Sequence, residues 1–223
     1  MKIDVFIPAR GGSKGIPKKN IINFLGKPLI VHSIEYAQKC NLVSNIYVST
    51  DNQEIKNQAI KNNVKVIDRP KELANDEAST ESAIEHFLES IDYKPDLIVL
   101  LQPTSPNRPD GSLEEAINKL IEFNHDSVLS ISPTHNFFWK IKNKTAKALY
   151  DYKNRPRRQD LKTKDINYVE NGSVYVFTYN LFKKNKNRLG GDIGYIIFEE
   201  PFSKEIDSMV DLKLLEFICS KNK

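Results

Sequence analysis

Five consecutive apolar residues, Leu97-Ile-Val-Leu-Leu101, constrain this chain more than any other feature. A strand with one wet face alternates polar and apolar side chains. A strand without a polar residue has both faces covered, as a central strand does in a parallel sheet sandwiched between helices. The flanking pattern agrees. Residues 2–8 and 45–49 read as strands and 64–67 as a short one, while 28–39, 51–62 and 78–90 read as helices. Pro28 stands early in its helix, where proline is tolerated, and Ser79 or Thr80 is placed to cap the third helix. After the apolar run, Asp110 is placed to cap a helix ending at 123, and 127–132 is another strand. This alternation predicts an α/β domain with a mostly parallel sheet and right-handed crossovers. Residues 172–178 and 194–199 return to the sheet, and 208–220 close it with a helix. The 223 residues, 39% hydrophobic and 28% charged, fit one domain over 1–223 with a full core. Disordered, collagen-like and disulfide-scaffold classes are excluded. No segment approaches the ~20 apolar residues of a membrane span, so no membrane partner is expected.

The alternation breaks after Pro133. Residues 137–141 and 146–152 predict a hairpin arm, within about 134–165, too small to bury its own aromatics. The net charge of +4 is concentrated there. Lys140, Lys142, Lys144, Lys147, Lys153, Arg155, Arg157, Arg158, Lys162 and Lys164 face only Asp151 and Asp160, giving +8 locally and +4 − 8 = −4 elsewhere. Such a block either attracts anions or is a solvated loop. Three of the chain's arginines crowd into Arg155-Pro-Arg-Arg158. A guanidinium offers a planar fork that grips carboxylate or phosphate bidentately, so the cluster reads as an anion clamp. Regularly spaced aromatic platforms are missing among these cations, and no nucleic-acid partner is expected. Cys40 and Cys219 lack metal or redox spacing, and no apolar leader follows Met1. A reducing, cytoplasmic location with inert thiols is expected.

In open α/β sheets ligands gather at the carboxyl ends of strands. The first such end is Pro8-Ala-Arg-Gly-Gly-Ser-Lys-Gly-Ile-Pro-Lys-Lys-Asn20. Its glycines let backbone amides approach phosphate oxygens, and Arg10, Lys14, Lys18 and Lys19 supply the charge a triphosphate requires. GxxxxGK[ST] and GxGxxG are both missing, which argues against P-loop NTPases and dinucleotide-dependent enzymes.

Those residues, with Ser49-Thr-Asp51, Arg69-Pro70, Asp76-Glu-Ala-Ser-Thr80, Leu101-Gln-Pro-Thr-Ser-Pro106, Arg157-Arg-Gln-Asp160, Glu170-Asn-Gly172 with Tyr175, and Ile206-Asp207, resemble the acylneuraminate cytidylyltransferases in order and over nearly the whole chain. The resemblance implies a Rossmann-like three-layer sandwich, a homodimer built with the arm, and activation of a nine-carbon ulosonic acid by CTP with release of pyrophosphate. It implies that Arg10, Ser13, Lys14, Lys19 and Asn20 hold the triphosphate and that Arg69, Asp76, Ser79 and Thr80 lie on the cytidine side. Ser79 and Thr80 serve equally as helix caps. Gln102, Thr104 and Ser105 follow the central strand, where nucleotide and sugar meet. Arg158, then Arg157, is the partner for the acid's carboxylate, and Lys140 reaches across the dimer. Tyr175 lines the sugar pocket or packs in the core.

Mg2+ or Mn2+ is the expected cofactor. Glu205 and Asp207 stand two apart, so an extended chain points both the same way. The family usually has Asp at both positions, which makes Asp207 the safer ligand. Asp211 fits a capping box with Ser208 instead. His32, His86 and His125 are expected on helix or loop surfaces, and none of the four histidines is given a catalytic role. Octulosonate (KDO-type) synthetases usually carry Arg-Leu-Pro-Gly-Lys-Pro after the loop serine, whereas Lys14-Gly-Ile-Pro-Lys-Lys-Asn20 stands here. Neuraminate and legionaminate are not separated by these residues, and pseudaminate and an octulosonate are the alternatives. A sugar-1-phosphate nucleotidyltransferase would want a different glycine loop.

Overall fold

The computed structural model describes residues 1–160 and 166–221. The chain runs β1 (Ile3–Pro8), a ribbon of β2 (Asn23–Phe24) and β3 (Lys27–Pro28), α1 (Leu29–Gln38), β4 (Asn45–Thr50), α2 (Gln53–Lys61) and β5 (Lys65–Asp68). It continues through α3 (Thr80–Glu89), β6 (Leu97–Leu101), α4 (Ser112–Glu122), β7 (Ser127–Thr134), β8 (Trp139–Lys142), β9 (Thr145–Ala148), β10 (Asn167–Thr178), α5 (Tyr179–Asn185), β11 (Ile193–Ile197) and α6 (Met209–Lys221). Seven strands form one sheet in the order β11-β7-β10-β6-β1-β4-β5. Six run the same way and β10 runs against them. This is the α/β sandwich expected, with one opposed strand that the apolar pattern of residues 172–178 did not reveal.

The apolar run occupies the centre as β6, and all five of its residues are buried. Val99 and Leu101 pack into the cluster with Ile34, Leu113 and Ile117, while Ile98 and Leu100 pack into a second cluster with Phe87 and Phe177. Each fully buried side chain of this kind contributes roughly 1.5–3 kcal/mol. Among the described residues no helix is long and apolar enough to cross a membrane.

Helix ends differ in detail from expectation. α2 begins at Gln53 rather than at 51, and Asn52 caps it, accepting from the amides of Glu54 and Ile55. Gly111, in the left-handed region, precedes α4, and Asp110 pairs with Lys39 instead of capping. Ser79 caps α3 through the amide of Ser82. Asp211 and Ser208 form the reciprocal cap of α6. His32, His86 and His125 are half-buried rather than on the surface, and His32 Nε2 lies 2.8 Å from the carbonyl of Phe24. Cys40 is buried, and burial pushes its thiol up to about 11, so it stays protonated and inert.

Candidate active site

The loops after β1, β5 and β6 meet a segment arriving from β11 to enclose a cleft of about 380 Å³ at the carboxyl edge of the sheet. Arg10, Ser13, Lys19, Asn20, Arg69, Asp76, Ser79, Thr80, Gln102, Thr104, Glu205 and Asp207 all line it. The β1 loop is held open from several sides. Asp51 Oδ1 accepts the amide of Gly11 at 2.8 Å, and Asn20 Nδ2 donates to the carbonyl of Arg10 at 2.9 Å. Gly15 passes so close to the Asp207 carbonyl that a Cβ would stand 2.3 Å from its oxygen. Backbone cannot yield as a flexible side chain can, so this glycine serves loop packing against the Asp207 segment rather than an open approach to phosphate.

Charge in the cleft is paired across elements. Arg10 and Lys14 both reach Asp76, at 2.8 and 3.1 Å. The Lys14 and Arg10 hydrogen bonds hold the Asp76 carboxyl below its usual range. Lys14 is thus beside the cleft without lining it. Lys19, mostly buried, donates to the carbonyl of Ile206 at 3.1 Å and to Asp207 Oδ1 at 3.0 Å. The amide of Ile206 donates to the carbonyl of Thr104 at 2.7 Å, which fixes the Glu205–Asp207 segment against the β6 turn. Glu205 is the more enclosed of the two carboxylates. Burial, then the neighbouring Asp207 and Glu170, push it up to about 7 against the pull of Lys19.

Arg69 presents a guanidinium anchored to Ser49, through Nε to Oγ at 3.0 Å and Nη2 to the carbonyl at 2.7 Å. Burial lowers it to about 10, with Asp51 opposing and Arg10 adding to the fall. Ser79 lines the cleft while its Oγ is engaged as the α3 cap. The capping reading is thus met, and the residue stands on the cleft wall as well.

Other expected site residues lie apart. Ser105 is buried beneath the turn, with its Oγ 3.5 Å from the carbonyl of Asn171. Tyr175 is 2% exposed and packs in the core with Phe177 and Leu100. Its hydroxyl donates to Glu170, and the Arg188 guanidinium lies 4.5 Å from its ring centroid. Within this chain it forms no wall of the cleft. The face it takes is set by a register shift between Glu170 and Tyr175. Lys140 is exposed on β8, and Arg157 pairs with Asp160 at 2.6 Å. Neither lines the cleft. The side chain of Arg158, and residues 161–165 of the arm, lie outside the described residues. Two residues that sequence reasoning left without a role stand out. Asp51 directs the Gly11 amide, a task signalled by its position just past β4. Arg108 is buried under the β6 turn, signalled only by arginine being scarce outside the arm.

A mostly parallel sheet, a basic glycine loop after its first strand, and paired carboxylates across the cleft match one family. The sequence profile of the cytidylyltransferases spans residues 5–218. This chain belongs to the cytidylyltransferase family. N-acylneuraminate cytidylyltransferase A of Danio rerio is 35% identical over 219 residues, 96% of this chain and 50% of that protein. The pseudaminic acid cytidylyltransferase of Campylobacter jejuni strain 81-176 is 30% identical over 230 residues, covering 100% of this chain and 98% of that protein. The chain thus spans about half the length of the N-acylneuraminate enzymes it matches and nearly all of the pseudaminic one. A solved CMP:2-keto-3-deoxy-manno-octonic acid synthetase, complexed with CTP, superposes over the whole of both chains with TM-score 0.75 at 16% identity. That likeness fixes the cytidylyltransferase fold.

Proposed function

We propose that this cytidylyltransferase joins CMP to the anomeric hydroxyl of a nine-carbon ulosonic acid, an N-acylneuraminate or the related legionaminate, using CTP and releasing pyrophosphate. One observation carries the reading. Arg10 and Lys19 of the β1 loop line one cleft with Glu205 and Asp207, and Lys19 touches Asp207 at 3.0 Å, so cations for a triphosphate and hard oxygens converge. The acid's hydroxyl attacks the α-phosphorus in line as the α–β bridge breaks. Charge then builds on the departing pyrophosphate, where Arg10 and Lys19 stabilise it more in the transition state than before. No protein nucleophile is required. Holding two polyanions together is the main task.

Asp207 and Glu205 would hold Mg2+ or Mn2+. Among the described residues no group of three or more His, Cys, Asp or Glu could hold a metal. Two carboxylates beside a phosphate site suit a hard ion that keeps waters and substrate oxygens as its other ligands. Such an ion, when bound, neutralises phosphate charge and acidifies the attacking hydroxyl. A homodimer is part of the proposal. The edge strand β11 exposes Ile193, Tyr195 and Ile197, and the arm exposes Trp139, Ile141 and Tyr152. Apolar surface of this kind is what a partner copy covers. In such a dimer Lys140, Arg157 and Arg158 would serve the acid's carboxylate. A second reading, pseudaminate, is favoured by the full-length match to the Campylobacter enzyme.

The test incubates the protein with Mg2+, each of the four nucleoside triphosphates and a panel of ulosonic acids, and measures pyrophosphate. Release with CTP and one acid alone is expected. Release with a sugar 1-phosphate instead overturns the reading. Asp207→Ala, at a side chain 67% exposed, is expected to cut turnover by about a hundredfold or more with the circular dichroism unchanged. Full activity in that variant refutes the metal assignment.

A further inference from the structure

Arg108 carries a charge that the proposed reaction does not use. Its side chain turns inward beneath the β6 turn, and the residue is 7% exposed. No carboxylate pairs with it among the described residues. Nη1 donates to Ser33 Oγ of α1 at 3.1 Å, and Nη2 donates to the carbonyls of Gln102 at 2.7 Å and Ser173 at 3.3 Å. The guanidinium carbon lies 5.1 Å from the centroid of the Tyr36 ring, and Nε finds no partner among the described residues. Burial lowers it only to about 10, so the group stays cationic at neutral pH. A buried cation without a counter-ion is a poor way to gain stability, since replacing such groups by apolar ones is often neutral or favourable.

What the fork gains is geometry. Its Nη2 holds together the exit of β6 and the irregular part of β10, the two backbone segments that meet on the Glu205 side of the cleft. Gln102 lines the cleft there. Next to Ser173, a Cβ on Gly172 would stand 2.9 Å from Gln102 Oε1 and 1.9 Å from Glu205 Oε1. The same junction is stitched by Ser105 Oγ on the Asn171 carbonyl. Backbone and two cleft side chains are therefore in contact where Arg108 pulls, and a slip of the two segments displaces Gln102 and the Glu205 carboxyl. Asp207, held by Lys19 and away from this junction, would still serve the metal and the triphosphate. The β1 loop makes no hydrogen bond with Arg108. We propose that Arg108 is a positioning residue for the acid-substrate side of the cleft, its guanidinium fixing the Gln102 turn against the Gly172 segment. A single ammonium cannot span three acceptors on three elements as a planar fork does.

The inference rests on the proposed reaction, and its test separates the two. In Arg108→Lys the KM for the acid is expected to rise about tenfold, ~1.4 kcal/mol, while the KM for CTP stays within twofold. Ile117→Val, a fully buried change on α4, controls for general destabilisation and should leave both KM values in place. Equal rises in both KM values for Arg108→Lys, no rise at all, or the same acid-specific rise in the control overturns the proposal. Ser33→Ala keeps the arginine and frees Nη1. It should raise the acid KM about threefold, and it decides the matter by the same criteria if Arg108→Lys does not fold. If wild-type protein turns over no ulosonic acid, the reaction is wrong, and amide hydrogen exchange of the same variants decides on Arg108. Protection lost only at 102–105 and 171–174 supports the brace, and protection unchanged there refutes it.

Discussion

Gly172 offers the sharpest separation of structural from chemical effects. It has φ +63, and a Cβ there would stand 1.9 Å from Glu205 Oε1 and 3.0 Å from its carboxyl carbon. Gly172→Ala therefore has two consequences. The left-handed backbone becomes strained by roughly 1–2 kcal/mol, which for a domain of this size lowers Tm by about 2–8 °C. The clash is with the end of a flexible side chain, so the fold yields by rotating the Glu205 carboxyl away. Its position beside Asp207 and Gln102 is then lost. Gly26→Ala is the matched control, with φ +87 and nothing within 4 Å of the added carbon. Thermal denaturation should show similar losses for the two variants. Pyrophosphate release, normalised to folded protein, should fall at least tenfold in Gly172→Ala and stay near wild type in Gly26→Ala. Equal activities in the two variants would refute the idea that the glycine exists to seat Glu205 in the cleft.

Two further outcomes follow from the same wall of the cleft. Lys19→Met removes donors to Ile206 and Asp207 from a side chain only 14% exposed. It should cost about 1–2 kcal/mol in urea unfolding and at least a hundredfold in turnover. A loss of stability alone would remove Lys19 from the chemistry. Glu205 binds a proton up to about pH 7 in the fold, against an ordinary 4.5. The folded state therefore holds the extra proton, so this group's contribution to stability declines as pH rises from about 4.5 to 7 and is level above. The difference of about 2.5 in pKa corresponds to roughly 3 kcal/mol at most. The Tm advantage of Glu205→Gln over wild type, measured without metal, should widen across that window. A pH-independent gap would contradict the burial argument.

What was legible in the residues was local. An unbroken apolar run announces a central strand because both of its faces need covering. The cations, glycines and carboxylates of the cleft were readable because each follows directly on a strand end or stands in a short motif. Direction and face were harder. β10 was read from Gly172, yet it begins at Asn167 and runs antiparallel, since a buried strand shows the same apolar residues either way. The register shift between Glu170 and Tyr175 breaks the two-residue alternation, so period alone could not assign the tyrosine to core or cleft. The seven-residue α5 escaped notice because only Leu181 and Phe182 of it are buried, too few to mark a helical stripe.

The opposed strand supplies the wall that the proposed function needs, since that function asks one cleft to hold an acid as well as a nucleotide. In a sheet whose strands all run one way, only loops leaving strand ends reach the carboxyl edge. Here β10 enters the sheet from that edge and delivers Glu170, Asn171 and Gly172 beside the β6 turn. Asn171, buried, is held by Ser130 at 2.5 Å and Ser132 at 2.9 Å of β7, and Arg108 ties Ser173, two residues on, to Gln102 at the exit of β6. The irregular entry of β10 is thus rigid despite its broken register. A braced wall set against the β1 loop limits how far the cations and carboxylates of the cleft can close on one another. That limit matters because Lys19 and Asp207 already pair at 3.0 Å, and further collapse would spend on each other the charges that the proposed anionic substrates need.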